Sequence, residues 1–145
     1  MFRHLLLTTD GSTSAENAAR CGIDLAKRLG AHVLGFHVAP PYTSTTYLIE
    51  VLGTPRRDYE TAVAEHAQRY LADIAHLASL AGVPCTTEYC FAEHAHQAIV
   101  DVAAARGCDL IVMGARGRHL PGLHLLGSVT HRVLLHAATP VLVCP

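Results

Sequence analysis

Residues 109–130 read DLIVMGARGRHLPGLHLLGSVT, and the fold turns on how this stretch divides. Leu110, Ile111, Val112 and Met113 are apolar at consecutive positions, so 109–113 predicts a short strand covered on both faces. A glycine-rich segment, 114–127, follows and contains no acidic residue. Ser128 then begins a helical pattern over 128–136, and an apolar strand, 140–144, comes after it. A strand buried on both faces, then a crossover helix, then another strand is the unit of a parallel sheet between helices.

The same unit recurs toward the N-terminus. Residues 4–9 predict a strand running into Asp10-Gly11-Ser12. Ala15, Ala18, Ala19, Gly22, Leu25, Ala26 and Leu29 then mark one face of a helix. Thr13 and Glu16 have capping-box spacing at its start, and Gly30 is its stop. A second strand covers 32–38 and ends at Pro40-Pro41. Residues 40–57 predict a long loop with one short helical turn. A long helix over about 58–81 carries the stripe Val63, Ala67, Tyr70, Leu71, Ile74, Leu77 and Ala78, and ends at Gly82 and Pro84. A less buried strand, 85–91, and a helix, 94–105, closed by Arg106-Gly107, lead back to residue 109. The expectation is one α/β domain over 1–145, a five-stranded parallel sheet with right-handed crossovers and helices on both faces.

Composition narrows the function. The chain has 145 residues, 50% hydrophobic and 16% charged, which excludes disorder. A net charge of -1 argues against a nucleic-acid binder. No apolar run reaches a membrane span or a signal-peptide core, so no membrane association and a cytoplasmic location are expected. Five cysteines, at 21, 85, 90, 108 and 144, form no C-x-x-C pair and predict reduced, mostly buried thiols. His94-Ala-His96 has metal-ligand character, but two imidazoles do not complete a site.

Ligands of such sheets bind beyond the carboxyl ends of the strands. Two segments lie there: Thr8-Thr9-Asp10-Gly11-Ser12 and residues 114–130. In the second, Gly127 opens a helix, so the amides of Gly127, Ser128 and Val129 are expected to be unpaired and to point outward. The helix dipole adds to that anion site, and Ser128 offers a hydroxyl. Arg116, Arg118, His119 and His124 surround it with cationic or potentially cationic groups. The residues read as a phosphate-binding loop, with a plain connector and an ordinary helix start as the alternative.

The spacing Gly114-x2-Gly117-x9-Gly127-Ser128 resembles the G-x2-G-x9-G-S/T motif of the ATP-binding branch of the universal stress protein family. The resemblance extends to strand 1 with Asp10-Gly11-Ser12, to His37-Val38, to Asp109-Leu-Ile-Val-Met113-Gly114 and to Thr139-Pro-Val-Leu-Val-Cys-Pro. It implies strand order 3-2-1-4-5, an adenine-nucleotide alpha-hydrolase-like fold, and ATP bound with Mg²⁺ or Mn²⁺. Asp10 and the backbone of Val38 would hold adenine and ribose. Thr8 would line the same pocket where the family often has proline. Met113 and Gly114 would meet ribose and base, and Gly117 would let the loop close over the phosphates. Gly127, Ser128 and Val129 would cradle those phosphates, while Thr9, Arg116 and Thr130 complete the candidate set. The resemblance also implies a homodimer through the closing strand from Pro140 to Cys144, and a stress-response regulator with an unknown protein partner.

Fast ATP chemistry is a different matter. A P-loop needs a lysine after its second glycine, and a kinase needs one on a strand; the one lysine here is Lys27, in a helix. The glycine loop also lacks a carboxylate to act as base or metal anchor. A nucleotide-binding regulator with slow or no hydrolysis is favoured. A weak ATP hydrolase or phosphoryl- or nucleotidyl-transfer enzyme stays open, as does a nucleotide-independent dimeric adaptor.

Overall fold

A computed structural model describes residues 1–45, 52–117 and 125–145. The chain alternates β1 (His4–Thr8), α1 (Thr13–Leu29), β2 (His32–Ala39), a 3-10 turn (Tyr42–Thr45), α2 (Arg56–Ala81), β3 (Cys85–Phe91), α3 (Ala95–Ala105), β4 (Leu110–Gly114), α4 (Ser128–His136) and β5 (Val141–Cys144). All strand pairs are parallel, in the order β3-β2-β1-β4-β5. The expected α/β architecture and strand order are therefore observed.

Three leucines show why the sheet needs two helical layers. Leu5, Leu6 and Leu7 are each fully buried. Successive strand side chains point to opposite faces. Leu5 and Leu7 pack with Ala18, Ile23 and Ala26 of α1 and with Ile74 and Ala78 of α2. Leu6 packs on the other face with Ile99 and Val102 of α3, Ile111 and Met113 of β4, and Val133 of α4. Each fully buried leucine contributes roughly 1.5–3 kcal/mol. Gly22 lets α1 settle onto Leu7, whose methyl occupies the place of any side chain there.

Local signals set most element ends. Gly30 and Gly82 stop α1 and α2 with φ of 65° and 71°, a conformation glycine adopts without strain. The start of α1 differs from the expected capping box. Ser12 is the N-cap, its Oγ accepting from the Ala15 amide at 3.2 Å, because the chain turns one residue earlier, at Gly11. Helix α2 starts at Arg56 behind Pro55, and Lys27 lies in the last turn of α1. Asp109 stays outside β4. Its carboxylate accepts from the amides of Arg3 and His4, tying the starts of β4 and β1 together. The five cysteines are free, with Cys108 and Cys144 buried, Cys85 and Cys90 half-buried and, against expectation, Cys21 exposed. Among the described residues, no helix is long and apolar enough to cross a membrane.

Strand β1 has β2 on one side and β4 on the other. The chain winds outward from β1 through α1 and α2, then returns across the sheet through α3. Where the winding reverses, the loops after β1 and β4 part and leave a crevice.

Candidate functional site

The loop after β1 is held almost atom by atom. The Thr9 amide donates to the Phe36 carbonyl at 3.0 Å, and the Thr9 carbonyl lies 2.7 Å from Nδ1 of His37. The Gly11 amide donates to Thr9 Oγ1, and the Ser12 amide to Asp10 Oδ1 at 2.9 Å. Gly11 has φ 79°, and the Tyr70 ring fills the space a side chain would take. The sequence placed Asp10-Gly11-Ser12 at the end of the first strand; the pressure of Tyr70, from α2, came only with the structure.

The end of β4 meets α1 and α4 together. Gly114 packs against Ser14 and Ala15 at the start of α1, where a Cβ would fall 2.8 Å from the Ser14 carbonyl carbon. The Arg116 amide donates to Ser14 Oγ at 3.2 Å. The Ala115 amide donates to the Cys144 carbonyl at 2.6 Å. Thr130, 4% exposed, donates its hydroxyl to the Gly114 carbonyl at 2.8 Å. One expectation is corrected here. The Gly127 amide is not unpaired: it donates to the Ala115 carbonyl at 2.7 Å, because the residue that opens α4 lies beside the end of β4. The first intrahelical bond runs from the His131 amide to the Gly127 carbonyl. The amides of Ser128, Val129 and Thr130 therefore precede the helical ladder, and Gly127 has no side chain to cap them. Among the described residues they meet no backbone acceptor.

These two loop regions enclose one cleft of about 810 Å³, counting its solvent-open mouth. Thr8, Thr9, Asp10, Val38, Met113, Gly114, Arg116, Gly117, Gly127, Ser128, Val129 and Thr130 all line it. Four further residues line it that the sequence reading passed over: Ala15, Phe36, Ala95 and Ile99. Two of these carried a usable signal. Phe36 lies two residues before Val38 on one strand, hence on the same face, and Ile99 lies one helical turn after Ala95. Phe36, Val38, Ile99 and Met113 make one side of the cleft apolar, while the start of α4 makes another side polar. Gly117 faces Asp10, whose Oδ2 would lie 3.1 Å from a Cβ there.

Other sequence candidates fall elsewhere. Arg118, His119 and His124 lie outside the described residues. The ring of His96 is 6.0 Å from that of His94 and 5.3 Å from that of His136. Slight burial, then Arg132 and the two other imidazoles, push His96 below the usual histidine range. Among the described residues, no group of three His, Cys, Asp or Glu side chains is arranged to hold a metal ion.

The model of the universal stress protein family matches residues 1–145. A Thermus aquaticus protein named "Universal stress protein in QAH/OAS sulfhydrylase 3'region" is 33% identical over 142 residues, covering 98% of both chains. Universal stress protein YxiE of Bacillus subtilis is 31% identical, covering 99% of both. Among solved structures, the hypothetical protein MJ0577 superposes with a TM-score of 0.83 at 26% identity, covering 99% of this chain and 96% of that one. Two neighbours alike in fold carry nucleotides. They are the universal stress protein from Archaeoglobus fulgidus in complex with dAMP (TM-score 0.68, 20% identity, 100% and 98% covered) and an Arabidopsis thaliana family protein with AMP bound (0.68, 15%, 98% and 90%).

Proposed function

The chain belongs to the universal stress protein family, and we propose that it binds ATP in this cleft and acts as a nucleotide-responsive regulator in the stress response. The observation that carries the reading is the start of α4: a helix N-terminus without a side-chain cap, opening into a cleft whose other side is apolar. Phosphate oxygens would accept from the amides of Ser128, Val129 and Thr130, favoured by the helix dipole. Adenine would lie against Phe36, Val38, Ile99 and Met113, and Asp10 would face the ribose. The dAMP and AMP complexes of the two fold neighbours support an adenine nucleotide as the ligand class.

Mg²⁺ or Mn²⁺ would enter with the nucleotide. Among the described residues Asp10 is the one carboxylate in the lining, and its Oδ1 already accepts from the Ser12 amide. The ion would be chelated by the phosphates, whose charge it offsets, while the protein's amides hold the remaining oxygens. With no lysine and no second carboxylate among the described residues of the lining, turnover would lie far below the roughly 1–1000 per second of typical enzymes.

Strand β5 ends the sheet, with Val141, Leu142 and Val143 half-buried and β4 on one side alone. A second copy pairing antiparallel along that edge would cover it. Replacing Val141 and Val143 with lysine would then give monomers in sedimentation. The expected cytoplasmic location belongs to the same reading.

Native mass spectrometry of the purified protein, followed by calorimetric titration with Mg·ATP, tests the function. Co-purifying ATP and a binding heat support the regulator. ADP or AMP in its place points to a hydrolase. Neither nucleotide nor heat would leave an adaptor and defeat the proposal.

A further inference from the structure

One buried polar side chain beneath the cleft takes no part in lining it. His37 lies on the face of β2 opposite Phe36 and Val38 and is 9% exposed. Its Nδ1 is 2.7 Å from the Thr9 carbonyl oxygen. A carbonyl only accepts, so Nδ1 carries a proton in this contact. The Thr9 amide is bonded to the Phe36 carbonyl of the same strand. Residue 9 is thus gripped by β2 at both of its polar groups. Tyr70 stands edge-on to His37, with ring centroids 5.4 Å apart, and the same ring abuts Gly11. His66 flanks Tyr70 at 6.3 Å. Thr9 and Gly11 are the two neighbours of Asp10.

We infer that His37 is a positioning residue for the nucleoside end of the cleft: by donating to the Thr9 carbonyl, with Tyr70 against Gly11, it sets the backbone that aims the Asp10 carboxylate. The ligand in this inference rests on the ATP reading above; the positioning rests on the loop geometry alone. Without the donor, the Thr9 carbonyl loses its partner and the Thr9–Asp10 peptide, which leads into Asp10, is held less firmly. The phosphate end, built from β4 and α4, does not depend on this bond.

A comparison of His37→Phe and His37→Asn separates donation from packing. Phenylalanine keeps a ring against Tyr70 and removes the donor. Asparagine loses the ring but places an N–H close to the position of Nδ1. Calorimetric titrations with adenosine and with Mg·ATP are expected to show both affinities about tenfold weaker in His37→Phe, their ratio unchanged, and both within about threefold of wild type in His37→Asn. Wild-type affinities in His37→Phe, equal losses in the two variants, or a loss for ATP but not for adenosine would each overturn the inference. Amide exchange by NMR, without nucleotide, gives an independent arm. Gly11 and Ser12 should exchange about tenfold faster in His37→Phe than in wild type or His37→Asn. Equal rates in all three proteins overturn the positioning role. A wild type that takes up neither adenosine nor ATP defeats the ATP reading, and the exchange comparison then decides the role of His37 by itself.

Discussion

Two helices begin at the same cleft, and they treat their first amides in opposite ways. At α1, the Ser12 hydroxyl accepts from the Ala15 amide and the Asp10 carboxylate from the Ser12 amide, so side chains of the protein meet donors at that helix start. At α4, the N-cap is Gly127, which has no side-chain acceptor to offer, and its own amide is turned away onto Ala115. Both helix dipoles point at the cleft, yet one helix start carries a side-chain cap and the other carries none. A helix N-terminus stays open through what its N-cap lacks, together with neighbours that fix the end of β4 beside it. Here Thr130 does part of that work, holding Gly114 from inside α4.

The largest expected effect comes from making α4 resemble α1. Gly127 has φ -59° and ψ 148°, an extended conformation suited to a capping side chain. In Gly127→Asp the carboxylate would accept from the first-turn amides and repel phosphate. ATP affinity should fall by at least about 2 kcal/mol in calorimetry, with the melting temperature retained. The new Cβ meets the Gly117 amide nitrogen at 3.3 Å, so the glycine loop must give by a few tenths of an ångström. Unchanged affinity would break the comparison.

Thr130→Val comes next. It keeps the shape of the side chain and leaves the Gly114 carbonyl without its donor. Denaturant unfolding should show a loss of about 1–2 kcal/mol. A neutral result would mean that the spacing between β4 and α4 is set by packing rather than by this bond.

Ser12→Ala removes the cap of α1. Stability should fall by about 1 kcal/mol, while ATP affinity stays within about twofold of wild type. A large loss of affinity would show that the closed helix end also contributes to binding.

The smallest effect lies at the other end of the sheet, remote from both helix starts. His4 stacks on His32 with ring centroids 3.9 Å apart, and its buried Nε2 has no hydrogen-bond partner among the described residues. Burial, then the neighbouring His32, push the His4 imidazole below its usual value of 6.5. The unfolded chain therefore takes up this proton first as pH falls. Stability is retained above about pH 6.5 and declines below it, down to the pKa of the folded state. Between pH 7.5 and 5.5, wild type should lose a few tenths of a kcal/mol more than His4→Phe, the value being small because solvent screens the site. Parallel melting curves for the two proteins would remove His4 from the pH response.

Much of the frame was legible because its signals are short-range. Leu5, Leu6 and Leu7 in succession require cover on both faces, whatever the partners are. Gly30 and Gly82 stop helices through their own φ angles. The glycine spacing after β4 directed attention to the segment that lines the cleft. The same reasoning erred where two local choices competed. Thr13 and Glu16 match a capping pattern, but Ser12 caps, since the turn at Gly11 closes one residue sooner.

What the sequence by itself determined is therefore the alternation of elements, the two-faced sheet, a first strand that ends in Asp10-Gly11-Ser12 and a helix opening with a residue whose side chain cannot cap it. These depend on torsion preferences and on polarity at neighbouring positions. The tertiary structure alone decided who satisfies whom: Thr9 by His37 across 28 residues, Arg116 by Ser14 across 102, Gly127 by Ala115, and Gly11 pressed by Tyr70. Each of those partners is one of several chemically equivalent donors, acceptors or rings in the chain. Nothing local distinguishes them until the parallel sheet sets the distance between the ends of β1 and β4 and brings α2 beneath the first loop.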